Sequence, residues 1–176
     1  MNFTQDWFTN NIPNFQLCME AVGEQRKEFL EIGSYEGRST CWLLEKALPK
    51  LGTIYCIDPY KNMQDVEQRF WDNTREAIKG QMVVLIKNTS YQAIADLIVK
   101  KQVFDFIYVD GNHAPDMALT DACMAWGLLR SGGVMLFDDY EYPHEPTKQG
   151  IDAFLSAFDG QFDMVLKNYQ LAVRKK

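Results

Sequence analysis

A chain of 176 residues, 47% of them apolar and 13% aromatic, has the size of one domain, can bury about two-thirds of its unfolded surface and is not a disordered chain. Lys and Arg number 18 against 24 Asp and Glu, a net charge of −6 that no basic stripe offsets, and the C-terminal Arg174-Lys175-Lys176 is too short to grip a phosphate backbone, which argues against a nucleic-acid partner. No apolar run approaches the roughly 18 residues of a membrane span, Met1–Asp6 lacks a basic leader, and Cys18, Cys41, Cys56 and Cys123 show no CxxC spacing, so the expectation is a cytoplasmic protein with free cysteines and no zinc site.

Residues 1–176 read as a single domain, with 1–25 as an N-terminal helical segment whose Phe3, Trp7, Phe8, Ile12 and Phe15 can pack on the body or form a lid over a site. Short apolar runs then alternate with helical periods. Strands are expected at 29–32, 53–57, 82–86, 104–109 and 134–137, and helices at 39–48, 65–79, 91–99 and from Pro115 onward. Ala118, Ala122, Trp126 and Leu129 share one face of that last helix, which Gly132-Gly133 would close. A helix over 150–158 precedes strands 162–166 and 171–174. These two are too close together for a crossover helix and must form a hairpin with Asn168 in its turn.

Five βα units and a hairpin give a Rossmann-like, mostly parallel seven-stranded sheet with helices on both faces and a C-terminal antiparallel hairpin. Ligands of such sheets bind at the carboxyl ends of the strands. Those ends carry Gly33, Asp58, Asn88, Asp110 and Asp138, with Glu31 just before the first. Carboxylates gathered there point to a site.

The first loop, Glu31-Ile32-Gly33-Ser34-Tyr35-Glu36-Gly37-Arg38-Ser39, has G-x-x-x-G spacing rather than the G-x-G-x-x-G of dinucleotide binders. Tyr35 stands where those loops need a glycine against pyrophosphate, which disfavours a nicotinamide-linked oxidoreductase and favours a nucleoside without phosphates. Asp58 is placed to accept the hydroxyls of a ribose.

The ordered set of first loop, Asp58, Asp110-Gly111-Asn112-His113 and Gly132-Gly133-x4-Asp138-Asp139-Tyr140 resembles the class I S-adenosylmethionine-dependent methyltransferases, in particular the family-24 and macrocin-type O-methyltransferases. Gly150-Ile151-Asp152-Ala153-Phe154 continues the likeness, and the first loop also matches the catechol-type enzymes. The resemblance implies S-adenosylmethionine as cofactor. It places Glu31, Gly33 and Gly37 along the cofactor, Tyr35 near its methionine part, Ser39 on its carboxylate, Asp58 on the ribose and Ser90 near the adenine. It also implies Mg²⁺ on Asp110, Asp138 and Asp139, with His113 where the catechol-type enzymes place a lysine base; Asp110 and His113 are then the catalytic candidates. Asn112 replaces a frequent second acid, and Asp139 rather than asparagine suits the macrocin-type pattern.

The chemistry follows from these residue types. Hard carboxylate ligands suit Mg²⁺, which lowers the pKa of a bound hydroxyl, and a histidine titrates near working pH and can take the proton. The expected reaction is O-methylation of a hydroxylated small molecule or sugar. A module that binds S-adenosylmethionine without turnover, or a partner subunit, would share the cofactor residues. Phe70, Trp71, Tyr140, Tyr142 and His144 are expected near the rim. With no insertion large enough for a substrate domain, acceptor choice must rest on these loops or on the second subunit of a homodimer.

Overall fold

The computed structural model describes residues 1–24, 26–144 and 146–176. Seven strands, β1 (Glu28–Ile32), β2 (Thr53–Ile57), β3 (Met82–Ile86), β4 (Phe104–Val109), β5 (Leu129–Phe137), β6 (Phe162–Lys167) and β7 (Leu171–Lys175), form one sheet in the order β3-β2-β1-β4-β5-β7-β6. The first five are parallel, and β7 lies antiparallel between β5 and β6. The seven-stranded expectation and its C-terminal hairpin hold, with residues 168–170 as the turn.

Among the described residues six helices cover the sheet: α1 (Ile12–Val22), α2 (Arg38–Trp42), α3 (Gln64–Ala77), α4 (Ser90–Val99), α5 (Pro115–Trp126) and α6 (Thr147–Ala157). The period of two along the strands decides which core each residue joins. Phe29, Phe106 and Tyr108 pack with α1, α2 and α3 on one face; Leu30, Ile32, Ile107 and Val109 pack with α4, α5 and α6 on the other. Phe15 anchors α1, meeting Phe8, Trp42, Phe106 and Tyr108 at ring-centroid distances of 4.9–6.1 Å. A wider, π-helical turn over Leu43–Ala47, closed by the Leu48 amide on the Leu43 carbonyl at 2.7 Å, extends α2 toward Pro49.

Two expected boundaries are corrected. Gly132-Gly133 does not close a helix. The helix ends at Trp126, and both glycines lie inside β5, where Leu129 pairs with Phe104 and Val134 with Phe106. The extra residues bulge out of the ladder. A Cβ on Gly133 would stand 2.9 Å from the carbonyl oxygens of Asp105 and Arg130, so the glycine pair marks a close approach of backbones. Leu129, which continues the helix spacing in sequence, is therefore a strand residue. Nor does the sixth helix begin at Gly150: it starts at Thr147, and Gly150 sits inside it because a Cβ there would lie 2.2 Å from the Pro115 carbonyl. That contact, with a 3.2 Å hydrogen bond from the Thr147 hydroxyl to the His113 carbonyl, fixes the start of α5 against α6.

Glu31 ties α2 to the sheet. Its side chain is fully buried in β1 and accepts hydrogen bonds from the Ser39 and Thr40 hydroxyls. Burial pushes its carboxyl up to about 7 from 4.5, against the opposing effect of these hydroxyls. The folded protein thus holds this proton more tightly than the unfolded chain. The resulting stabilisation is complete below about pH 4.5 and is lost as pH rises through about 7, roughly 3 kcal/mol for this group alone. Urea unfolding from about pH 5 to about pH 8 is expected to show this decline in the native protein and to lack it in Glu31→Gln. An equal pH slope in both would assign the decline to other groups.

Candidate functional site

β1 and β4 are neighbours in space but not in sequence, so the sheet reverses its strand order between them and the loops beyond their ends part. Gly33 makes the join. Its φ is +85°, and a Cβ there would lie 1.8 Å from the Asp110 carbonyl oxygen; no other residue fits. The loop then turns through Tyr35, also left-handed at φ +44°. Asp58 holds that turn: one carboxylate oxygen accepts the Ser34 and Tyr35 amides at 3.2 and 3.0 Å, the other the Tyr60 amide at 3.0 Å. The Tyr60 hydroxyl donates to the Tyr35 carbonyl at 2.6 Å.

The loops enclose a cleft of about 1190 Å³. Strand tips and the loops and helix starts after them supply Ile32, Ile57, Asp58, Ser90, Gly111 and Met117, and the two ends of the chain with the loop after β5 supply Trp7, Asn10, Asn14, Tyr142, Asn168 and Tyr169. Gly33, Tyr35, Asp110, His113, Asp138 and Asp139 line the cleft as well. Of the residues expected along the cofactor, Glu31, Gly37 and Ser39 do not line it. Glu31 and Ser39 bond each other beneath the loop, and Gly37, at φ +78°, packs so closely on Phe70 that a Cβ would meet the ring at 2.9 Å. Phe70 and Tyr140 are buried rather than on the rim, and Trp71 packs on Phe70.

The acids are brought together by the pairing of β4 with β5. Asp138 turns inward and is 8% exposed. It accepts from the Tyr108 hydroxyl, from the Gln170 amide at 3.0 Å and from the Asp139 amide at 2.9 Å. The Tyr108 oxygen also lies 3.1 Å from Asp110. A phenol has one proton, and the closer Asp138 takes it, leaving Asp110 without that donor. Asp139, left-handed at φ +53°, points the other way, and the Tyr169 hydroxyl donates to it. His113 Nε2 stands 3.1 Å from Asp139 and 4.0 Å from Asp110. Ligand atoms of Asp110, His113 and Asp139 all lie within 4.8 Å of one another. The structure therefore groups Asp110 and Asp139 with His113, while Asp138, expected as a third ligand, supports the cluster from behind.

Desolvation, then the charge of Asp138 and Asp139, hold the Asp110 carboxyl well above its ordinary range. Its side chain keeps 32% exposure in the cleft, so the like charge is the sturdier cause. Desolvation also raises Asp138, where the Tyr108 hydrogen bond opposes it and the Asp139 charge adds to it.

Residues 1–14 wall the outer side. The Thr4 amide and hydroxyl donate to buried Glu36 at 2.6 and 2.7 Å, Asn2 and Asn73 exchange hydrogen bonds, and Arg38 pairs with Asp6 at 2.8 Å. Trp7 lies against Tyr35, with ring centroids 5.2 Å apart. Asn10, Asn14, Met117, Asn168 and Tyr169 had no sequence signal as cleft residues, because the segments that carry them meet only in the folded chain.

A family model described as a methyltransferase domain matches residues 30–140. An uncharacterized protein of Acanthamoeba polyphaga mimivirus is 27% identical over 115 residues, which are 64% of this chain; the chain spans about half, 51%, of that relative. Among solved structures, an O-methyltransferase from Bacillus cereus in complex with S-adenosylhomocysteine superposes with a TM-score of 0.72 at 18% identity, over 99% of this chain and 84% of its own. A methyltransferase of Podospora anserina with S-adenosylhomocysteine bound gives 0.72 at 20% identity, over 94% and 78%. No helix among the described residues is long and apolar enough to cross a membrane. With the family match spanning most of its length and the strand order described above, the chain belongs to the methyltransferase-domain family and has the fold of the class I S-adenosylmethionine-dependent methyltransferases.

Proposed function

We propose that this protein transfers the methyl group of S-adenosylmethionine to a hydroxyl of a small hydroxylated molecule, sugars included, with the help of a divalent cation. The observation that carries this reading is that Asp110, His113 and Asp139 converge in the same cleft as Gly33, Tyr35 and Asp58. About 1190 Å³ exceeds the usual size of a single-ligand pocket and leaves room for donor and acceptor together. The apolar side chains of Ile32, Ile57 and Met117 suit a purine, and Asp58 suits its ribose. The amides and phenols of Asn10, Asn14, Tyr142 and Tyr169 suit a hydroxylated acceptor. Unpaired cysteines, three of them buried, favour a cytoplasmic setting.

In the reaction an acceptor oxygen attacks the sulfonium methyl carbon. The carbon–sulfur bond breaks, sulfur keeps the electron pair as a neutral thioether, and the acceptor proton passes to His113. Asp139 orients that imidazole and stabilises it once charged. The walls of the cleft hold donor and acceptor in line, which supplies much of the rate gain. Asp110, short of a donor and crowded by like charge, fits a cation together with Asp139, which leaves the His113 imidazole to take the proton. A Mg²⁺ held by these residues would lower the pKa of an acceptor hydroxyl as a Lewis acid.

Three measurements test this reading. Asp58→Ala is expected to weaken S-adenosylhomocysteine about tenfold to a hundredfold in calorimetry, the cost of losing charge-assisted hydrogen bonds; unchanged affinity in a folded variant removes Asp58 from the ribose. His113→Ala is expected to lower turnover roughly 10²–10⁴-fold with cofactor affinity nearly unchanged, and a rate within about threefold of the native one removes it as base. Exhaustive chelation is expected to abolish turnover, with recovery on adding Mg²⁺ or Mn²⁺, while S-adenosylhomocysteine still binds; full turnover without metal would leave His113 to ionise the acceptor alone.

A further inference from the structure

The turn of the β6–β7 hairpin reaches back to the two acids at the tip of β5, with one residue for each. Gln170, fully buried, gives its amide to Asp138 at 3.0 Å, and the Tyr169 hydroxyl donates to Asp139 Oδ1. A phenol keeps its proton near neutral pH and has one to give. The main chain sets where that proton points. The Glu141 amide donates to the Tyr169 carbonyl at 3.1 Å, which ties the turn to the chain two residues beyond Asp139. The Tyr142 ring steadies the phenol from the side, with centroids 6.4 Å apart and planes 77° to each other.

Asp139 is thereby gripped from both sides. Its Oδ1 is engaged by Tyr169, and its Oδ2 stands 3.1 Å from His113 Nε2. The carboxylate cannot turn both oxygens to one point without leaving the phenol. Asp138 has little to offer in its place. One of its oxygens accepts from the Gln170 side chain and the Asp139 amide, the other from Tyr108. The cluster therefore presents one oxygen of Asp139 together with Asp110. Cations differ in what they accept from such a set. Ca²⁺ takes about six to eight oxygens and often holds a carboxylate by both of them. Mg²⁺ takes about six in a near-ideal octahedron, keeps several waters and needs only one or two carboxylates. Mn²⁺ also suits octahedral oxygen sites.

Resting on the cation reading above, we propose that Tyr169 is a positioning residue that holds Asp139 to single-oxygen coordination and so sets the site for a small octahedral cation against Ca²⁺. The selection comes from a side chain that holds the ligand and not the ion.

The test reads binding, not turnover. Mn²⁺ affinity is taken from the electron paramagnetic resonance of the free ion and Ca²⁺ affinity from its competition with Mn²⁺, at the site that Asp110→Asn removes. The native protein is expected to prefer Mn²⁺ about tenfold or more. Tyr169→Phe frees Asp139 Oδ1 and should lower that preference about tenfold, the lower end of what a partner of a metal ligand contributes. Loosened packing alone would weaken both ions together and leave the ratio unchanged. Tyr142→Phe removes a hydroxyl from the neighbouring ring and should keep the native ratio. A ratio in Tyr169→Phe within about threefold of the native one overturns the proposal, as does an equal fall in Tyr142→Phe. Should Tyr169→Phe not fold, a native protein that holds Ca²⁺ as tightly as Mn²⁺ overturns it by itself. If Asp110→Asn removes no Mn²⁺ site, the cation reading falls and this inference with it.

Discussion

The contact between Gly33 and the Asp110 carbonyl is the constraint on which the cleft depends. Two strands far apart in sequence run side by side to their tips, and a backbone carbonyl occupies the space where any other residue would carry a side chain. Because the tips touch, the loop after β1 must turn away at once and the residues after Asp110 must turn the other way. The cleft is the space between these diverging paths. Asp58, one strand over, fastens the first path by three backbone amides, so the pocket wall is held by a carboxylate that itself lines the cleft.

Negative charge at the floor of the cleft is arranged by depth. Asp138, nearly closed off from solvent, is surrounded by donors from Tyr108, Gln170 and its own neighbour's amide. Asp110 and Asp139 are more open and flank His113. A buried carboxylate is tolerated when donors surround it, and an exposed one is tolerated by water or a cation. The left-handed backbone at Asp139 separates adjacent acids into these two environments. Gln170 ties the arrangement outward, giving its amide to Asp138 while its oxygen accepts from Asn14 of α1 at 3.0 Å.

The sheet was legible in the sequence because its apolar strands and their punctuation are local signals. Strand tips followed from it, and with them Gly33, Asp58, Asp110 and Asp138 as cleft residues. Boundaries failed where one local signal serves two purposes. Gly132-Gly133 after a helical face reads as a helix stop, but the pair is needed where β5 bulges against β4. Phe70 and Tyr140 follow strand tips and read as rim residues, but each is turned into the core by contacts the sequence does not order. Asp138 and Asp139 look equivalent side by side, and only a backbone angle assigns them opposite directions. Trp7, Asn14 and Tyr169 reach the cleft from the two ends of the chain, a convergence that no periodicity encodes.

The strap formed by residues 1–14 has a consequence for how such a protein can diversify. The wall near Asp58 and Ser90 is made by strand tips and loops locked into the sheet, where substitution disturbs the whole body. Other lining residues, Trp7, Asn10, Asn14 and the hairpin turn at 168–169, come from the two ends of the chain, the first of which is fastened by polar contacts and by buried Phe8. Substitution of these side chains leaves the parallel ladder of β1 to β5 intact. The two parts of one lining thus differ in how much of the fold a substitution disturbs, so that what the cleft admits can be altered from its outer residues while Gly33, Asp58 and Asp110 keep their places.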